Sequence, residues 1–349
     1  MRFARTVPIQ RISATNTHRA TIHTTCGKAP FDRNSIDQAS HAACALQALF
    51  CDLMMTHTIT RRAFVSRAAV ALAAIPIFRR QVNAWRGPSP LRIGVVSPEA
   101  RNDESIMTLG IQLGVDEATH AAALFGGSIE LVPLATSSLR EHRLSAVIGG
   151  VDLEGCTTLA AAADSAGVAF INAGCSSDQL RGSACRSTTF HVVPSDAMYR
   201  DALAQSHSSG NAVAVAWDPS LARFGADTLN ERFRAKFGRP MAAEAWLGWV
   251  AVKVLWESSL RARSTDAKTL MRYMARVGTQ FDGHKGRPLS FRQWDHQLRQ
   301  PVYVVSRDEL GATKLVAELP ASGSPDETSR DALDRLGTPA SRSTCRMSP

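Results

Sequence analysis

The stretch that decides the fold runs from Leu144 to Asn172. It reads Leu144-Ser145-Ala146-Val147-Ile148-Gly149-Gly150, then an alanine-rich segment from Leu159 to Ala166, then Gly167-Val168-Ala169-Phe170-Ile171-Asn172. The two apolar runs are too short for helices and each is bounded by glycine, so they read as buried strands. The segment between them has helix-forming composition. Strand, helix and strand in this rhythm give two parallel neighbours joined by a crossover helix.

The same rhythm extends in both directions. Leu91–Pro98 is a short apolar run bounded by prolines and is expected to be the first strand. Ile106, Leu109 and Leu113, with Ile111 and Val115 beside them, recur at helical spacing and predict a helix over 104–125, stopped by Gly126-Gly127. Strands are expected at Ser128–Leu134 and Thr188–Val193, and a helix over 196–205. Beyond Ser206–Gly210, a strand is expected at Ala212–Trp217. Helices follow over 221–237, 242–261 and 265–277, then a hairpin of Leu289–Phe291 with Val302–Val305. Alternation of this kind predicts an α/β fold with a doubly wound parallel sheet.

In such sheets ligands bind at the carboxyl ends of the strands. Those ends are Ser97-Pro98-Glu99, Gly149-Gly150-Val151-Asp152 and Asn172-Ala173-Gly174-Cys175-Ser176. Glycine lets backbone amides approach a ligand, while Ser, Asn and Asp offer side-chain donors and acceptors. Trp246, Trp249 and Trp256 share one stripe of the helix over 242–261; the stripe is either an aromatic box for a ligand or, as is usual at this spacing, core.

An export signal is legible upstream. Thr60-Arg61-Arg62-Ala63-Phe64-Val65-Ser66-Arg67 looks like a twin-arginine motif. The uncharged apolar run Ala68–Phe78 follows, and then Val82-Asn83-Ala84, a small-x-small pattern suited to cleavage after Ala84. The run is far shorter than the roughly 20 residues needed to span a bilayer, so no membrane anchor is expected after processing. Because such signals act at a chain terminus, translation is expected to begin at Met54 or Met55. The alternative is a disordered extension over 1–54.

Charge separates the leader from the rest. Residues 1–85 hold 11 Lys/Arg against 3 Asp/Glu, and residues 86–349 hold 29 against 28. The basic balance therefore belongs to the leader, and nucleic-acid binding loses its electrostatic support.

Catalytic motifs are missing. The first strand ends without the G-x-G-x-x-G that a dinucleotide-binding dehydrogenase needs, and no G-x-S-x-G of a serine hydrolase occurs. Cys175 at a strand end, with His191 and His207 downstream, is the one conceivable nucleophile arrangement; a structural thiol is the plainer reading. His284, Asp295 and His296 are the candidate metal ligands, but Asp295 and His296 as strand neighbours would point to opposite faces. No enzyme activity, metal or cofactor is expected. No C-x-x-C is present. In an oxidising compartment, Cys175 and Cys185 could close a short loop, or remain two thiols.

The order of elements, with Phe233-Arg234-Ala235-Lys236-Phe237-Gly238-Arg239-Pro240 ahead of a helix, resembles the type I periplasmic solute-binding proteins of ABC transporters, including the branched-chain amino-acid-binding kind. A narrower resemblance rests on Asn172-Ala173-Gly174, Leu180-Arg181, Cys185, Pro194-Ser195, Phe281-Asp282-Gly283-His284-Lys285-Gly286 and the block Leu289 to Pro301. These look like the branch associated with pyrroloquinoline-quinone-dependent alcohol dehydrogenase systems. The resemblance covers most of 91–318. It implies two α/β lobes joined by a three-crossing hinge, a small solute held between them, a membrane permease as partner and a periplasmic location. It also implies solute contacts from Ser97, Gly150, Asp152, Ala173 and Cys175.

Two features depart from the family pattern. Asp152 stands where amino-acid binders place small hydroxyl residues, and its carboxylate would repel an anionic ligand group. Only Ser206–Asn211 joins the helix over 196–205 to the strand at 212–217, so most of the second lobe is absent on that pattern. The expected organisation is an extension (1–54), a signal peptide (55–84), a first lobe (85–195), a remnant of the second lobe with its crossover (196–217), return helices (218–281), a C-terminal hairpin (282–318) and a disordered tail (319–349). A cleft needs two walls to bury a ligand, so a second reading is a remnant domain that binds a partner protein instead of a solute.

Overall fold

The computed structural model describes residues 90–96, 105–125, 127–150, 152–208, 210–309, 312–321 and 332–347. Arg61, Arg62, Phe64 and Ala84, expected to belong to an export signal, and the site candidate Ser97 lie outside them.

Five parallel strands form the main sheet: β1 (Leu91–Val95), β2 (Ile129–Pro133), β3 (Ala146–Gly149), β4 (Ala169–Asn172) and β5 (Thr189–His191), in the order β2-β1-β3-β4-β5. Both faces are covered, as doubly wound sheets require. On one face Ile93, Ile148 and Ile171 pack with helix α1 (Ile106–Leu124) in the larger core. On the other, Val147 and Phe170 pack with α2 (Leu153–Ala166) in a second cluster. Each such side chain, fully buried, contributes about 1.5–3 kcal/mol relative to staying in water.

Three more helices precede the C-terminal strands after α3 (Asp196–Ser206) and strand β6 (Ala212–Val215): α4 (Ala226–Phe237), α5 (Ala243–Ala262) and α6 (Ala267–Met274). The packing of α5 on α1 depends on two glycines. A Cβ on Gly110 would overlap the carbonyl of Ala245, and one on Gly248 would overlap that of Met107. The helix backbones touch there, which only glycine permits.

The tryptophan stripe is core. Trp246 and Trp249 are buried, and Trp217 stacks on Trp246 with ring centroids 5.6 Å apart. Their N–H groups are satisfied inside the protein: Trp246 Nε1 donates to Gly283 O and Trp249 Nε1 to Glu117 Oε2.

The hairpin expectation is corrected. Strand β7 (Ser290–Phe291) pairs with β8 (Leu298–Arg299), and β9 (Val302–Arg307) pairs with β10 (Thr313–Leu319) and with β6, in a separate antiparallel sheet ordered β10-β9-β6. The Asp295-His296 turn closes on β8 before the longer β9 begins. Helix α3 covers this small sheet through Met198 and Ala202 against Val302 and Val304.

The disordered-tail expectation over 319–349 is corrected for residues 319–321 and 332–347. Leu319 ends β10, and residues 332–347 fold back onto the protein. Leu336 is fully buried beside Met198, Gly337 N donates to Asp201 Oδ2 at 2.7 Å, and Asp334 accepts from Arg292 Nε at 3.1 Å and Arg299 Nε at 3.0 Å. Its polar composition reads as disorder; a few distant anchors override it.

The disulfide joins Cys185 to Cys345, not to Cys175, which is a buried free thiol. Sequence proximity favoured the ten-residue loop, but the folded tail brings Cys345 to Cys185 from 160 positions away.

Candidate functional site

Strand order places the site. The chain steps from β1 to β2 on one side and returns to β3 on the other, so helices α1 and α2 leave in opposite directions. In doubly wound sheets such a switch point, here at the carboxyl ends of β1 and β3, is where a ligand crevice is expected.

The β3 side of the crevice begins at Gly150. Its φ of +94° is a left-handed conformation, and a Cβ there would overlap Cys156 Sγ. The chain then enters α2 through Asp152, whose Oδ1 accepts the Gly155 N–H at 2.7 Å. Asp152 is the N-cap of the helix. The helix starts six residues earlier than the alanine-rich run suggests, and the signal was present: an Asp three positions before the first residue whose amide it can accept. Asp152, Leu153, Glu154 and Gly155 are all exposed, so two carboxylates and one leucine form this rim.

Beside it, on the same side of the switch point, is the loop after β4, held from beneath by Asn172. Its Oδ1 accepts the Gly174 N–H at 3.3 Å and the Cys175 N–H at 3.0 Å, while Nδ2 donates to Cys175 O at 2.8 Å. Nδ2 also lies 3.0 Å from His191 Nδ1. Burial, with the Arg181 guanidinium nearby, drives the His191 pKa well below its usual value, so the ring is neutral and Nδ1 accepts from Asn172 Nδ2.

Arg181 clamps the same loop. It is buried and donates to Gln297 Oε1 (2.7 Å), Cys175 O (3.0 Å), Ser177 O (3.0 Å) and Val193 O (2.8 Å). Burial pulls its pKa down to about 10. Ser176 Oγ donates to Asp196 Oδ1 at 2.6 Å, tying the loop to the start of α3.

The structure thus separates the sequence candidates. Gly150, Ala173 and Cys175 are buried, and they shape the crevice through backbone; Ala173 N is spent on Gly149 O at 3.1 Å. Asp152 is exposed on the rim. Ser176 and Ser177, half-buried on the second rim, are further hydroxyl groups. Arg181, which holds the loop, has no local signature because its partner Gln297 lies 116 positions away, whereas Asn172 bonds chiefly within its own loop.

The metal and nucleophile candidates do not assemble. His284 Nδ1 lies 3.2 Å from Phe224 O, His296 Nδ1 lies 3.2 Å from Thr189 O, and Asp295 Oδ1 accepts from Gln297 N. Among the described residues no cluster of three metal-ligating side chains occurs. His207 sits at the far end of α3 as its C-cap.

A larger cavity, about 880 Å³, lies at the amino ends of β1 and β3, lined by Arg92, Arg143, Trp256 and Arg263 among others. It is at the opposite end of the sheet from the crevice. Strand direction weighs more than volume in locating a doubly wound site, so the crevice is the candidate.

No family model and no curated protein sequence matches the chain. Solved structures do. A periplasmic binding protein from Burkholderia mallei aligns with TM-score 0.59 and 12% identity, over 74% of this chain and 99% of that one. A leucine-, isoleucine-, valine-, threonine- and alanine-binding protein from Brucella ovis, in its closed conformation, aligns with TM-score 0.58 and 10% identity, over 74% and 99%. A solute-binding protein of an ABC transporter from R. palustris, in complex with benzoate, aligns with TM-score 0.54 and 12% identity, over 66% and 96%. The fold is that of the type I periplasmic binding proteins. Among the described residues no helix is long and apolar enough to cross a membrane.

Proposed function

We propose that the chain is the exported solute-binding component of an ABC transporter, working in the periplasm and allied to pyrroloquinoline-quinone-dependent alcohol oxidation. The observation that carries this reading is the β1/β3 switch point, with the exposed Asp152 and Glu154 after β3 and, next to them, a loop after β4 held from below by Asn172 and Arg181. The twin-arginine segment at Arg61-Arg62 supports export, and the block Leu289–Pro301 supports the alcohol-oxidation branch. Gly150, Asp152, Ala173 and Cys175, with Ser97, are the proposed contact positions, the buried ones acting through backbone.

Rim chemistry narrows the solute. Asp152 and Glu154 crowd the start of α2, where a ligand carboxylate would otherwise bind helix amides. A neutral hydroxylated or cationic solute suits this rim; an anion does not. On this reading the sheet β10-β9-β6 with α3 is what stands for the second lobe, and the permease is the partner.

Thermal-shift screening tests the proposal. A ligand that binds only the native state raises the melting temperature. Neutral alcohols, polyols or amines should do so, and carboxylates should not. A panel of alcohols, aldehydes, amines, amino acids and aromatic acids that all leave the melting temperature unmoved would sink solute binding and favour a partner-binding remnant. Mass spectrometry of the native protein tests the start: peptides from residues 1–50 would refute initiation at Met54 or Met55.

A further inference from the structure

Among the described residues, Cys156 and Cys175 are the buried cysteines left outside the Cys185–Cys345 bond. Cys156 lies in the second turn of α2, and Cys175 lies in the loop after β4. Both meet at Asn172: its Oδ1 is 3.6 Å from Cys156 Sγ and accepts the Cys175 N–H at 3.0 Å. The Cys156 Sγ and the Cys175 backbone amide thus share one acceptor atom. They belong to the elements that follow the neighbouring strands β3 and β4, and the same molecule already carries one disulfide.

We propose that Cys156 and Cys175 form a dithiol pair that closes to a disulfide on meeting a disulfide oxidant, such as oxidised glutathione or a thiol–disulfide oxidoreductase. The bond would fasten the start of α2 to the loop after β4.

The environment makes the two sulfurs unequal. Interaction with Cys156 holds the Cys175 pKa down to about 6, against the opposing effect of burial, with help from the Ser177 amide and the Arg181 charge. Interaction with Cys175, together with burial, pushes the Cys156 thiol up. Cys175 is 5% exposed and Cys156 fully buried. Cys175 is therefore the attacking thiolate and Cys156 the resolving thiol.

In the first step Cys175 Sγ bonds to one sulfur of the oxidant, whose S–S bond breaks and releases a thiolate. Cys156 then loses its proton to that thiolate or to water and attacks Cys175 Sγ, displacing the second oxidant sulfur. Two electrons pass from the cysteines to the oxidant, which leaves as two thiols carrying the two protons.

The experiment needs no ligand, so its outcome is independent of the solute reading. Both cysteines fall in one tryptic peptide, Leu144–Arg181, because no Lys or Arg lies between them. The full chain is equilibrated with oxidised glutathione, quenched in acid, alkylated under denaturing conditions and digested. The expected peptide is two hydrogens lighter than the dithiol and carries no alkyl group. In Cys156→Ser the same treatment should leave a glutathione adduct on Cys175. A cooperative urea melt, with the Cys185–Cys345 linkage intact, reports that each sample is folded. A wild-type peptide alkylated at both cysteines, with that linkage present, overturns the proposal; glutathione held on Cys156 in Cys175→Ser overturns the assignment of the attacking sulfur.

Discussion

The Nζ of Lys285 lies 3.9 Å from the ring centroid of Trp246 and 5.2 Å from that of Tyr303, with the side chain fully buried. The aromatic faces that a sequence reading offers to a ligand are met by the chain's own amine. Nζ donates to Gln300 Oε1 at 2.8 Å and Pro301 O at 2.9 Å, and among the described residues no carboxylate is ion-paired with it. The rings and carbonyls favour the ammonium, but burial wins: it drives the Lys285 pKa well below the usual lysine value, with Glu318 opposing from a distance.

That displacement makes stability depend on alkaline pH. In the unfolded chain a lysine stays protonated up to about pH 10.4. Native Lys285 gives up its proton earlier. Between the two values the unfolded state binds more protons, so stability rises with pH. Lys285→Met removes the titrating group, and its melting temperature should gain less than that of the wild type between pH 7 and 10. Parallel curves for the two proteins would refute the claim.

Gly150 gives a coupling test. Gly150→Ala places a methyl on Cys156 Sγ and forces alanine into φ +94°. The variant should lose about 2–3 kcal/mol, combining overpacking and backbone strain. Cys156→Ala removes the overlap but not the strain, so the double mutant should be more stable than additivity predicts by about 1 kcal/mol. Urea denaturation of the four proteins measures the cycle; strict additivity would show that the sulfur is not what Gly150 avoids.

These two residues show what the sequence made legible. The parallel sheet could be read from Leu144–Asn172 because strand and helix periods, and the glycines that stop them, are local properties of the chain. The crevice followed from strand direction alone. The support of the site was not readable, because Arg181 reaches Gln297 and Cys185 reaches Cys345, and such contacts leave no trace in spacing. Asp152 was recognised as unusual, but its capping of α2 was missed because the helix was expected to begin at Leu159.

The Cys185–Cys345 bond should carry much of the tail's hold on the protein. Closing so long a loop restricts the unfolded chain, and losing such a bond typically costs about 2–5 kcal/mol. Cys345→Ser and Cys185→Ser should therefore be destabilised alike, as measured by urea melts. Cys175→Ser should lose about 1 kcal/mol or less, since no disulfide is broken. If Cys175→Ser and Cys185→Ser instead matched each other, with Cys345→Ser unaffected, the short loop would be the real pairing.

Asp152 separates capping from ligand discrimination. Asn caps helices about as well as Asp, whereas Ala does not. Asp152→Asn should keep wild-type stability within a few tenths of a kcal/mol, and Asp152→Ala should lose about 1 kcal/mol. The charge is absent from both variants. If the rim carboxylate is what excludes anions, both should bind carboxylate solutes at least about tenfold more tightly than the wild type, on the order of 1.4 kcal/mol. Neutral solutes should change little. Calorimetric titration of one acid and its matching alcohol against the three proteins reads both effects. An unchanged preference in Asp152→Asn would mean that Asp152 is only a cap, and that the solute is selected elsewhere along the crevice.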